Sequence, residues 1–295
     1  MKTKTAMITI AGRPNVGKST LTNYLVGEKI AIVSNKPQTT RNRICGIVTR
    51  EDTQFVFVDT PGYHRSRTKL GDYMVNVARE SIADVDATIL VVEPIASIGP
   101  QEEGLIEKIT ASHCPAVLAI NKIDTVEKDK LLEVIAVYSQ KAKFDAIIPI
   151  SAKTGDGVEE LLKTCESYAQ EGPFLFDPNL TTDQPERQVM AEIIREKMLW
   201  CLEKEIPHGT AVEITRFSER DSGVIDIDAT IYCEKASHKG IIIGKQGAML
   251  KKISSMARVD CEKFMGTKVY LTTWVKVKEN WRDSDFLVRN FGYNE

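Results

Sequence analysis

Residues 12–19, with the sequence GRPNVGKS, have the residue types and spacing of a loop that binds the phosphates of a nucleotide. In such a loop, backbone N–H groups turn toward phosphate oxygens and the following helix adds its positive N-terminal end. We expect Lys18 to contact the β- and γ-phosphates and Ser19 to give Mg²⁺ a hydroxyl ligand. A strand-like run before the loop and a helical stretch after it favour phosphate binding over a chance Gly-rich turn. The predicted nucleotide-binding residues here are Gly12, Arg13, Pro14, Asn15, Val16, Gly17, Lys18, Ser19 and Thr20.

Three shorter motifs follow in order, each at the end of an apolar run. In DTPG (59–62), Asp59 is placed to reach Mg²⁺ through water, and the backbone N–H of Gly62 to sense a γ-phosphate. In NKID (121–124), the Asp124 carboxylate can accept both the ring N–H and the exocyclic amine of guanine, a pair of donors that adenine lacks. A site built for such bonds strongly rejects a ligand without them.

The third motif, SAK (151–153), places a backbone N–H at the guanine oxygen. Each short motif is weak evidence alone, but all of them in order at strand ends predict GTP or GDP as the nucleotide, and not ATP. The residues that these motifs add to the predicted site are Asp59, Gly62, Asn121, Lys122, Asp124, Ser151, Ala152 and Lys153.

The stretch SNKPQTTRNRICG (34–46) is polar and lacks periodicity, which is typical of a loop. We predict that Thr40 meets Mg²⁺ and the γ-phosphate only in the GTP state. Thr39 is the alternative, and an ordinary surface loop is the other interpretation. The predicted catalytic residues are Lys18, Thr40 and Gly62, and the predicted Mg²⁺ ligands are Ser19, Thr40 and, via water, Asp59. Such a site works by positioning and charge neutralisation, without a side-chain nucleophile or general base.

The first half of the chain alternates apolar runs with helical stretches. The runs are AMITIA (6–11), FVFVD (55–59), ATILVVE (87–93), AVLAIN (116–121) and AIIPIS (146–151). Such β-branched runs, separated by segments long enough for crossover helices, predict a mainly parallel sheet with helices on both faces. SIADVDA (81–87) and DGVEELLKTCESYAQ (156–170) are predicted helices. EGPFLFDPNLTTDQPER (171–187) contains three prolines and no periodicity, and we predict a linker there.

After the linker the pattern changes. RQVMAEIIREKMLWCLEKEI (187–206) predicts an amphipathic helix ended by Pro207 and Gly209. TAVEITRFSE (210–219) and GVIDIDATIYCE (223–234) alternate in the strand period and predict an antiparallel hairpin. GIIIGKQGAMLKKISSMARVDCEKFM (240–265) is helical but interrupted by glycines, and KVYLTTWVKVK (268–278) predicts a last strand. We therefore expect an α/β domain over 1–170, the linker over 171–187 and an α+β domain over 188–295.

Composition narrows the class of protein. The 295 residues suffice for two domains, and a hydrophobic content of 42% is ordinary for a packed core. No apolar run approaches the ~20 residues that span a bilayer, and we expect no signal peptide, because the N-terminus lacks a long apolar core. The cysteines and histidines are scattered without metal-ligand spacing, which indicates reduced thiols and no transition-metal site. They are Cys45, Cys114, Cys165, Cys201, Cys233 and Cys261, and His64, His113, His208 and His238.

The net charge of −2 is unevenly distributed. Residues 177–234 hold 6 basic and 13 acidic side chains, whereas residues 235–278 hold 10 basic and 2 acidic ones. A face for a polyanion and a solvated charged face explain this asymmetry equally well.

The chain closely resembles the Era-type GTPases, bacterial G proteins of the translation-factor class with a C-terminal RNA-binding domain. The resemblance covers essentially the whole length. It is carried by GRPNVGKST, QTTR, VDTPG, NKID and SAKTG, and later by GIIIGKQGAMLKKI and WVKVKENW. It implies a Ras-like G domain followed by a type II KH domain.

The KH resemblance gives a role to residues 244–247, with the sequence GKQG. In KH modules a Gly-x-x-Gly loop joins two helices and clamps about four nucleotides of single-stranded nucleic acid. A helix cap in a structural domain is the alternative. The predicted RNA contacts are Ile243, Gly244, Lys245, Gln246, Gly247, Lys251 and Lys252.

Two further sets of apolar residues belong to this region. The stripe Ile231, Ile241, Ile242, Ile243, Leu250 and Ile253 is predicted to be mostly core, with some members bordering the RNA groove. Aromatics interleaved with lysines at Trp274, Lys276, Lys278 and Trp281 are suited to stack on bases or to pack on the domain. We favour packing for Trp281.

Tyr63 occupies the position after DTPG, where many signalling GTPases carry the glutamine that orients the attacking water. An aromatic residue here is similar to the Era relatives and implies slow intrinsic hydrolysis. In related GTPases with an asparagine in the phosphate loop, a bound K⁺ supplies positive charge, and Asn15 matches that position. K⁺ stimulation and a purely loop-stabilising role of Asn15 are the two interpretations.

The resemblance implies a GTPase switch that hydrolyses GTP to GDP and phosphate. Its KH domain would hold small-subunit ribosomal RNA near the 3′ end during assembly of the 30S subunit. The alternative is an RNA chaperone in which GTP acts as an affinity ligand and turnover is incidental. A third, weaker interpretation is a peripheral membrane or cell-cycle regulator. We expect a cytoplasmic monomer that binds single-stranded RNA and no DNA, with at most a weak electrostatic contact to the inner face of the cell membrane.

Overall fold

The structure is a computed structural model that describes residues 2–62, 68–80 and 85–293. These residues pack as two units. The first comprises residues 2–31, 40–62, 74–80 and 85–183, and the second comprises residues 32–39, 68–73 and 184–293. Each unit has its own sheet and its own hydrophobic core.

The first unit is built on one mainly parallel sheet. Its strands are β1 (Lys4–Ala11), β2 (Ile44–Arg50), β3 (Thr53–Asp59), β4 (Ala87–Val92), β5 (Ala116–Ile120), β6 (Ala146–Pro149) and β7 (Gln170–Glu171). The order is β2-β3-β1-β4-β5-β6, with β7 paired to β1. Neighbours from β3 to β6 are parallel, whereas β2 and β7 run antiparallel to their partners. The carboxyl ends of the parallel strands share one edge, where open α/β sheets form ligand sites.

Helices cover both faces of this sheet, as the continuous apolar runs predicted. The helices in this half of the chain are α1 (Lys18–Val26), α2 (Lys69–Glu80), α3 (Pro100–Ser112), α4 (Lys128–Lys141) and α5 (Val158–Glu166). One core packs Leu21 of α1 and Leu161 of α5 against β1, β3 and β4. The other packs Leu105 of α3 and Val134 of α4 against β4 and β5. Every residue of β4 is buried, which is why its sequence does not alternate.

The second unit is an α+β arrangement. Its elements are α6 (Glu186–Cys201), β8 (Thr210–Glu219), β9 (Ile225–Cys233), α7 (Ala236–Ile243), α8 (Ala248–Met265), β10 (Val269–Val277) and α9 (Asp285–Asn290). The sheet order is β10-β9-β8, with β8 antiparallel and β10 parallel to β9. The core joins α6, α8 and the sheet through buried residues such as Ile193, Ile253 and Ile231. The predicted hairpin, interrupted helices and last strand are therefore confirmed.

The apolar and aromatic residues of this unit divide between core and surface. Of the predicted stripe, Ile231, Ile242 and Ile253 are fully buried, Ile243 and Leu250 are half-buried and Ile241 is exposed. Trp281 is buried and its Nε1 donates to the Gly209 carbonyl at 3.0 Å, so its predicted packing role is confirmed. Trp274, in contrast, is 60% exposed on β10.

The structure differs locally from the predicted elements in the first half of the chain and in α6. The stretch 34–46 is not all loop, because β2 begins at Ile44. The buried residues Ile44 and Ile47 of β2 pair with β3. The polar residues that precede Ile44 gave no strand pattern in the sequence. Helix α6 ends at Cys201 and not near Pro207, since the buried Leu202 is extended at φ −108 and ψ 155. Most of the predicted helix SIADVDA lies outside the described residues, and its last residue, Ala87, begins β4.

The Pro-rich stretch after α5 is held against the first unit. Backbone N–H groups of β2 donate to the Thr181 carbonyl (2.9 Å, from Ile47) and to Asp183 Oδ1 (3.1 Å, from Cys45). The Gln54 side chain accepts the N–H groups of Leu175 and Phe176. The two bonds from Ile47 and Cys45 cover the edge of the sheet at β2, which would otherwise present unpaired backbone groups. Within the described residues, no helix is long and apolar enough to cross a bilayer.

Candidate functional site

The phosphate-binding loop runs from the end of β1 to the start of α1. Lys18 is only 6% exposed, and its Nζ donates to the carbonyl oxygens of Gly12 (3.1 Å) and Arg13 (3.0 Å). Burial lowers the pKa of Lys18 to about 8, and the Asp59 carboxylate opposes that shift. A buried ammonium held mainly by carbonyl oxygens is stabilised by a nearby anion. The loop therefore fits a phosphate group.

Ser19, Thr40 and Asp59 converge beside this loop. Ser19 Oγ donates to Asp59 Oδ2 at 2.7 Å and lies 2.9 Å from Thr40 Oγ1. Asp59 is fully buried, and its Oδ1 makes no hydrogen bond of ordinary geometry within the described residues. Burial raises the pKa of Asp59, whereas Lys18 lowers it. One carboxylate with an unsatisfied oxygen and two hydroxyls suit Mg²⁺, which takes oxygen ligands and completes its shell with water and phosphate.

The structure separates the two candidate threonines. Thr39, the alternative to Thr40, directs its hydroxyl to Ser34 Oγ at 2.7 Å and to the Lys36 carbonyl at 2.7 Å. Only Thr40 reaches the cluster around Asp59.

Gly62 lies against the phosphate loop. A Cβ at this position would be 2.9 Å from both the backbone nitrogen and the Cγ of Pro14. Any side chain there would therefore push the two segments apart, and only glycine allows this approach of the backbone. The neighbouring Tyr63 lies outside the described residues.

Asn121 ties the phosphate loop to the base-recognition loops. It is 2% exposed; its Nδ2 donates to the Val16 carbonyl at 2.7 Å and its Oδ1 accepts the Ala152 N–H at 2.9 Å. Ser151 Oγ donates to Asp124 Oδ1 at 2.8 Å, which fixes the carboxylate that is predicted to read guanine. The three segments that the motifs marked separately therefore form one site.

The other predicted members surround this core of contacts. Lys122 Nζ donates to the Asn15 carbonyl at 2.8 Å. Asn15 itself is exposed with a positive φ of 67, Lys153 is exposed and Thr20 is half-buried in α1.

Glu93 is a site residue that sequence reasoning missed. Its Oε1 lies 2.5 Å from Lys122 Nζ and its Oε2 lies 3.4 Å from Arg13 Nη2. It therefore holds together one basic residue from the phosphate loop and one from the base-recognition loop. The available signal was an acidic residue at the end of an apolar run, directly after β4.

The predicted RNA loop joins α7 to α8. Gly244 has φ 72 and ψ 176, and a 3₁₀ turn over Lys245–Gly247 leads into α8. Lys245 and Gln246 are exposed at the loop tip. Lys251 and Lys252 are exposed in the first turns of α8, and Ile243 is half-buried beneath the loop. The four lysine and glutamine side chains therefore offer donors to a backbone that crosses the loop.

These features define a guanine-nucleotide-binding protein of the P-loop class that also carries an RNA-binding KH unit. Two family models match the chain accordingly: "50S ribosome-binding GTPase" over residues 7–122 and "KH domain" over residues 205–282.

Whole-length relatives give the family. GTPase Era of Ruminiclostridium cellulolyticum is 52% identical over 293 residues, covering 99% of this chain and 98% of that protein. GTPase Era of Clostridioides difficile is 49% identical over 294 residues, covering 99% of each. The chain belongs to the Era family of GTPases, enzymes that hydrolyse GTP.

Two solved structures match over the whole fold. A crystal structure of Era in complex with MgGDPNP and nucleotides 1506–1542 of 16S ribosomal RNA superposes with a TM-score of 0.95 at 36% identity. A variant of Aquifex aeolicus Era bound to GDP and AlF₄⁻ superposes with a TM-score of 0.94 at 36% identity. Each match covers 99% of this chain and 100% of the other. The predicted architecture, a G domain followed by a KH domain, and the predicted GTP, GDP and Mg²⁺ ligands are confirmed.

Proposed function

We propose that this GTPase binds the 3′ end of small-subunit ribosomal RNA through residues 243–252 and acts in assembly of the 30S subunit. The observation that carries the proposal is the Gly-x-x-Gly loop with exposed lysines on a chain that matches an rRNA-bound Era along its full length. Glycine permits close approach of the RNA backbone, and the lysines neutralise phosphates.

The nucleotide site performs hydrolysis by positioning. Lys18 places its charge on the phosphates, and the backbone of the loop and of Gly62 presents N–H groups to the oxygens where charge develops. Mg²⁺, when bound, neutralises phosphate charge, and Ser19, Thr40 and Asp59 are the residues that would hold it. Asp124, fixed by Ser151, orients the base. Because the reaction is hydrolysis, the attacking group is water.

The test is binding of an oligoribonucleotide that copies the small-subunit rRNA 3′ end, at stated salt, with a non-hydrolysable GTP analogue and then with GDP. We expect tight binding that Lys245→Asp with Gln246→Asp abolishes. The control is Lys268→Asp with Lys263→Gln, which changes the net charge by the same amount on exposed positions outside the loop. Equal loss in both variants would mean that general charge, and not the loop, binds RNA.

A second measurement, GTP turnover with and without the oligoribonucleotide, separates the GTPase switch from an RNA chaperone with incidental turnover. Acceleration of GTP hydrolysis by the oligoribonucleotide is expected for the switch. Affinity that depends on the nucleotide without any change in turnover would favour the chaperone.

Asn15 supports a further proposal, that K⁺ stimulates hydrolysis. Asn15 is exposed in the phosphate loop, and its side-chain oxygen is of a type that can bind a cation. Turnover measured in KCl should exceed turnover in NaCl, and equal rates would leave Asn15 with a loop-stabilising role.

The remaining proposals concern location and assembly state. We propose a cytoplasmic monomer that does not bind DNA, with any membrane contact weak and electrostatic. Sedimentation of the chain with anionic vesicles at low and at physiological salt tests that contact, which salt should abolish.

A further inference from the structure

The side chain of Arg13, in the phosphate loop, contacts two carboxylates of the same unit. Arg13 Nη2 donates to Glu93 Oε2 at 3.4 Å, and Arg13 Nε lies 2.9 Å from Glu102 Oε1. The second contact is an ion pair, because its geometry falls short of a hydrogen bond. Glu93 follows β4 directly, and Glu102 lies in the first turn of α3. The second residue of the phosphate loop is therefore tied to both of these elements.

Glu102 is held in place independently of the loop. It is 2% exposed, and its Oε2 accepts the Gly99 N–H at 3.0 Å, which caps α3. Tyr138 of α4 lies beside it, since burial and the charge of Glu102 raise the pKa of this buried hydroxyl. A buried carboxylate is costly unless a cation pairs with it. Arg13 supplies that positive charge, so its guanidinium is bound at a fixed position.

The loop itself needs support from outside. Asn15 and Gly17 have positive φ values of 67 and 103. Backbone conformations of this kind persist where the surrounding structure holds them. Glu93 supports the loop a second time, because it also pairs with Lys122, whose Nζ donates to the Asn15 carbonyl at 2.8 Å. Residues 13 and 15 are thus both held by groups outside the loop.

Holding the loop bears on how tightly it binds nucleotide. A loop that already has its binding conformation binds more tightly than one that must first be ordered. The phosphates are expected to meet the backbone N–H groups of the loop, whereas the side chain of Arg13 is engaged by Glu93 and Glu102. GDP and GTP share the α- and β-phosphates, so a less ordered loop should weaken the binding of both.

We infer that Glu102 and Glu93 are positioning residues for nucleotide binding: by holding Arg13, they keep the phosphate loop in its binding conformation and slow the release of GDP and GTP alike. Arg13 acts through the backbone of the loop, and its guanidinium does not contact the phosphates. The inference rests on the proposed phosphate-binding role of residues 12–19.

The experiment compares Arg13→Gln, Glu102→Gln, Glu93→Gln and the double variant Arg13→Gln with Glu102→Gln in the full chain. Glu103→Gln is the matched control, because Glu103 is the next residue of α3 and pairs with Lys141 at the surface. Lys18→Ala tests the phosphate loop itself.

Three quantities are measured for each variant without RNA. The first is the rate at which fluorescently labelled GDP, or a labelled non-hydrolysable GTP analogue, is displaced by excess unlabelled GDP. The second is the rate constant for hydrolysis of pre-bound GTP in a single turnover. The third is the thermal unfolding midpoint in the absence of nucleotide.

We expect Arg13→Gln and Glu102→Gln each to speed the release of both nucleotides about tenfold, as loss of an interaction between charged groups implies. For Glu93→Gln we expect about threefold, because its ion pairs are partly exposed. The double variant should release nucleotide no faster than Arg13→Gln alone, since both changes remove the same interaction. In Glu102→Gln, hydrolysis of pre-bound GTP should stay within about twofold of the wild type, because the lost interaction serves binding and not the reaction. Glu103→Gln should match the wild type in every quantity.

Two results from the release rates would overturn the inference. One is release from Arg13→Gln at the wild-type rate. The other is a double variant whose acceleration equals the product of the two single accelerations, because Arg13 and Glu102 would then act independently. A lower unfolding midpoint in Glu102→Gln with wild-type release would also overturn it, since Glu102 would then only stabilise α3. If Glu102→Gln does not fold, Arg13→Gln, Glu93→Gln and their double variant decide by the same criteria.

Lys18→Ala separates this inference from the proposed function. Weak nucleotide binding by Lys18→Ala, with wild-type release from the Arg13, Glu93 and Glu102 variants, overturns only the inference. Wild-type binding by Lys18→Ala removes the proposed phosphate-binding role of the loop and the inference with it.

Discussion

Replacing either glycine of the RNA loop by alanine should give two very different results. Gly244 has φ 72 and ψ 176, a backbone conformation that is essentially restricted to glycine. A Cβ there would lie 2.7 Å from Met249 Cβ and 2.9 Å from the Met249 backbone nitrogen. Gly247 also has a positive φ, of 80, but a Cβ there meets nothing within 4 Å. Both substitutions therefore strain the backbone, but only the one at Gly244 also creates a steric clash.

The magnitudes follow from these contacts. For Gly244→Ala, backbone strain costs about 1–3 kcal/mol, and displacing the first turn of α8 adds about 1–3 kcal/mol. The expected loss in the free energy of unfolding is thus about 2–6 kcal/mol. For Gly247→Ala, only the left-handed conformation is penalised, at about 1–2 kcal/mol.

Urea unfolding followed by tryptophan fluorescence measures both. All three tryptophans, Trp200, Trp274 and Trp281, lie in the second unit, so the signal reports that unit. With a slope near 2 kcal/mol/M, Gly244→Ala should lower the midpoint by about 1–3 M and Gly247→Ala by about 0.5–1 M. RNA affinity measured in native buffer should fall more for Gly244→Ala. Equal midpoint shifts, or a larger one for Gly247→Ala, would refute the argument from the Met249 contact.

Three further predictions concern the nucleotide unit. Asn121→Ala leaves two buried backbone groups without partners, so the free energy of unfolding should fall by about 2–6 kcal/mol. A thermal unfolding midpoint equal to that of the wild type in the absence of nucleotide would contradict this. Asp124→Asn should weaken GTP binding by about 10⁴-fold, because the carboxylate that accepts the guanine donors is lost. The surface control Asp129→Asn should leave GTP binding unchanged. Titration calorimetry measures the Kd for GTP of both variants. Burial raises the pKa of Cys45 and of Cys165 to about 12, so both thiols should be alkylated far more slowly in the native than in the urea-unfolded chain at about pH 8. The pKa of each thiol is higher in the folded chain than in the unfolded chain. Their contribution to the free energy of unfolding is therefore complete below the ordinary thiol pKa and is lost as pH rises toward 12. Urea unfolding midpoints measured across the alkaline range test this.

The parts of the fold that local sequence determines were predicted well. Strands buried on both faces, such as β4, have an unbroken apolar pattern, and phosphate and base loops require particular residues at fixed spacing. β2 was missed because its partner β3 and the covering Thr181 segment, and not its own pattern, make it a strand. The early end of α6 at Cys201 depends on burial of Leu202, which periodicity does not register.

In the candidate nucleotide site, too, residues in local motifs were predicted and residues that depend on distant partners were not. Motif residues such as Asn121 and Asp124 are found where the sequence predicted them, in contact with the other motif loops. Glu93 was not predicted, because its role comes from a partner that is distant in sequence, Lys122. A single sequence does not reveal such pairs.

The membership of residues 32–39 and 68–73 in the second unit bears on how this chain can be divided. Lys69 Nζ lies 3.7 Å from Asp285 Oδ2, and the rings of Tyr73 and Tyr293 are 6.3 Å apart. A fragment cut at the Pro-rich stretch would keep every nucleotide motif but lose the surface on which two of its segments fold. Kinetic constants measured on that fragment would describe a chain in which residues 32–39 and 68–73 lack their native packing. A chimaera that exchanges KH domains between relatives should therefore exchange residues 32–39 and 68–73 together with α6 and the rest of the second unit. The packing of these segments, and not the position of the linker, defines which residues belong together.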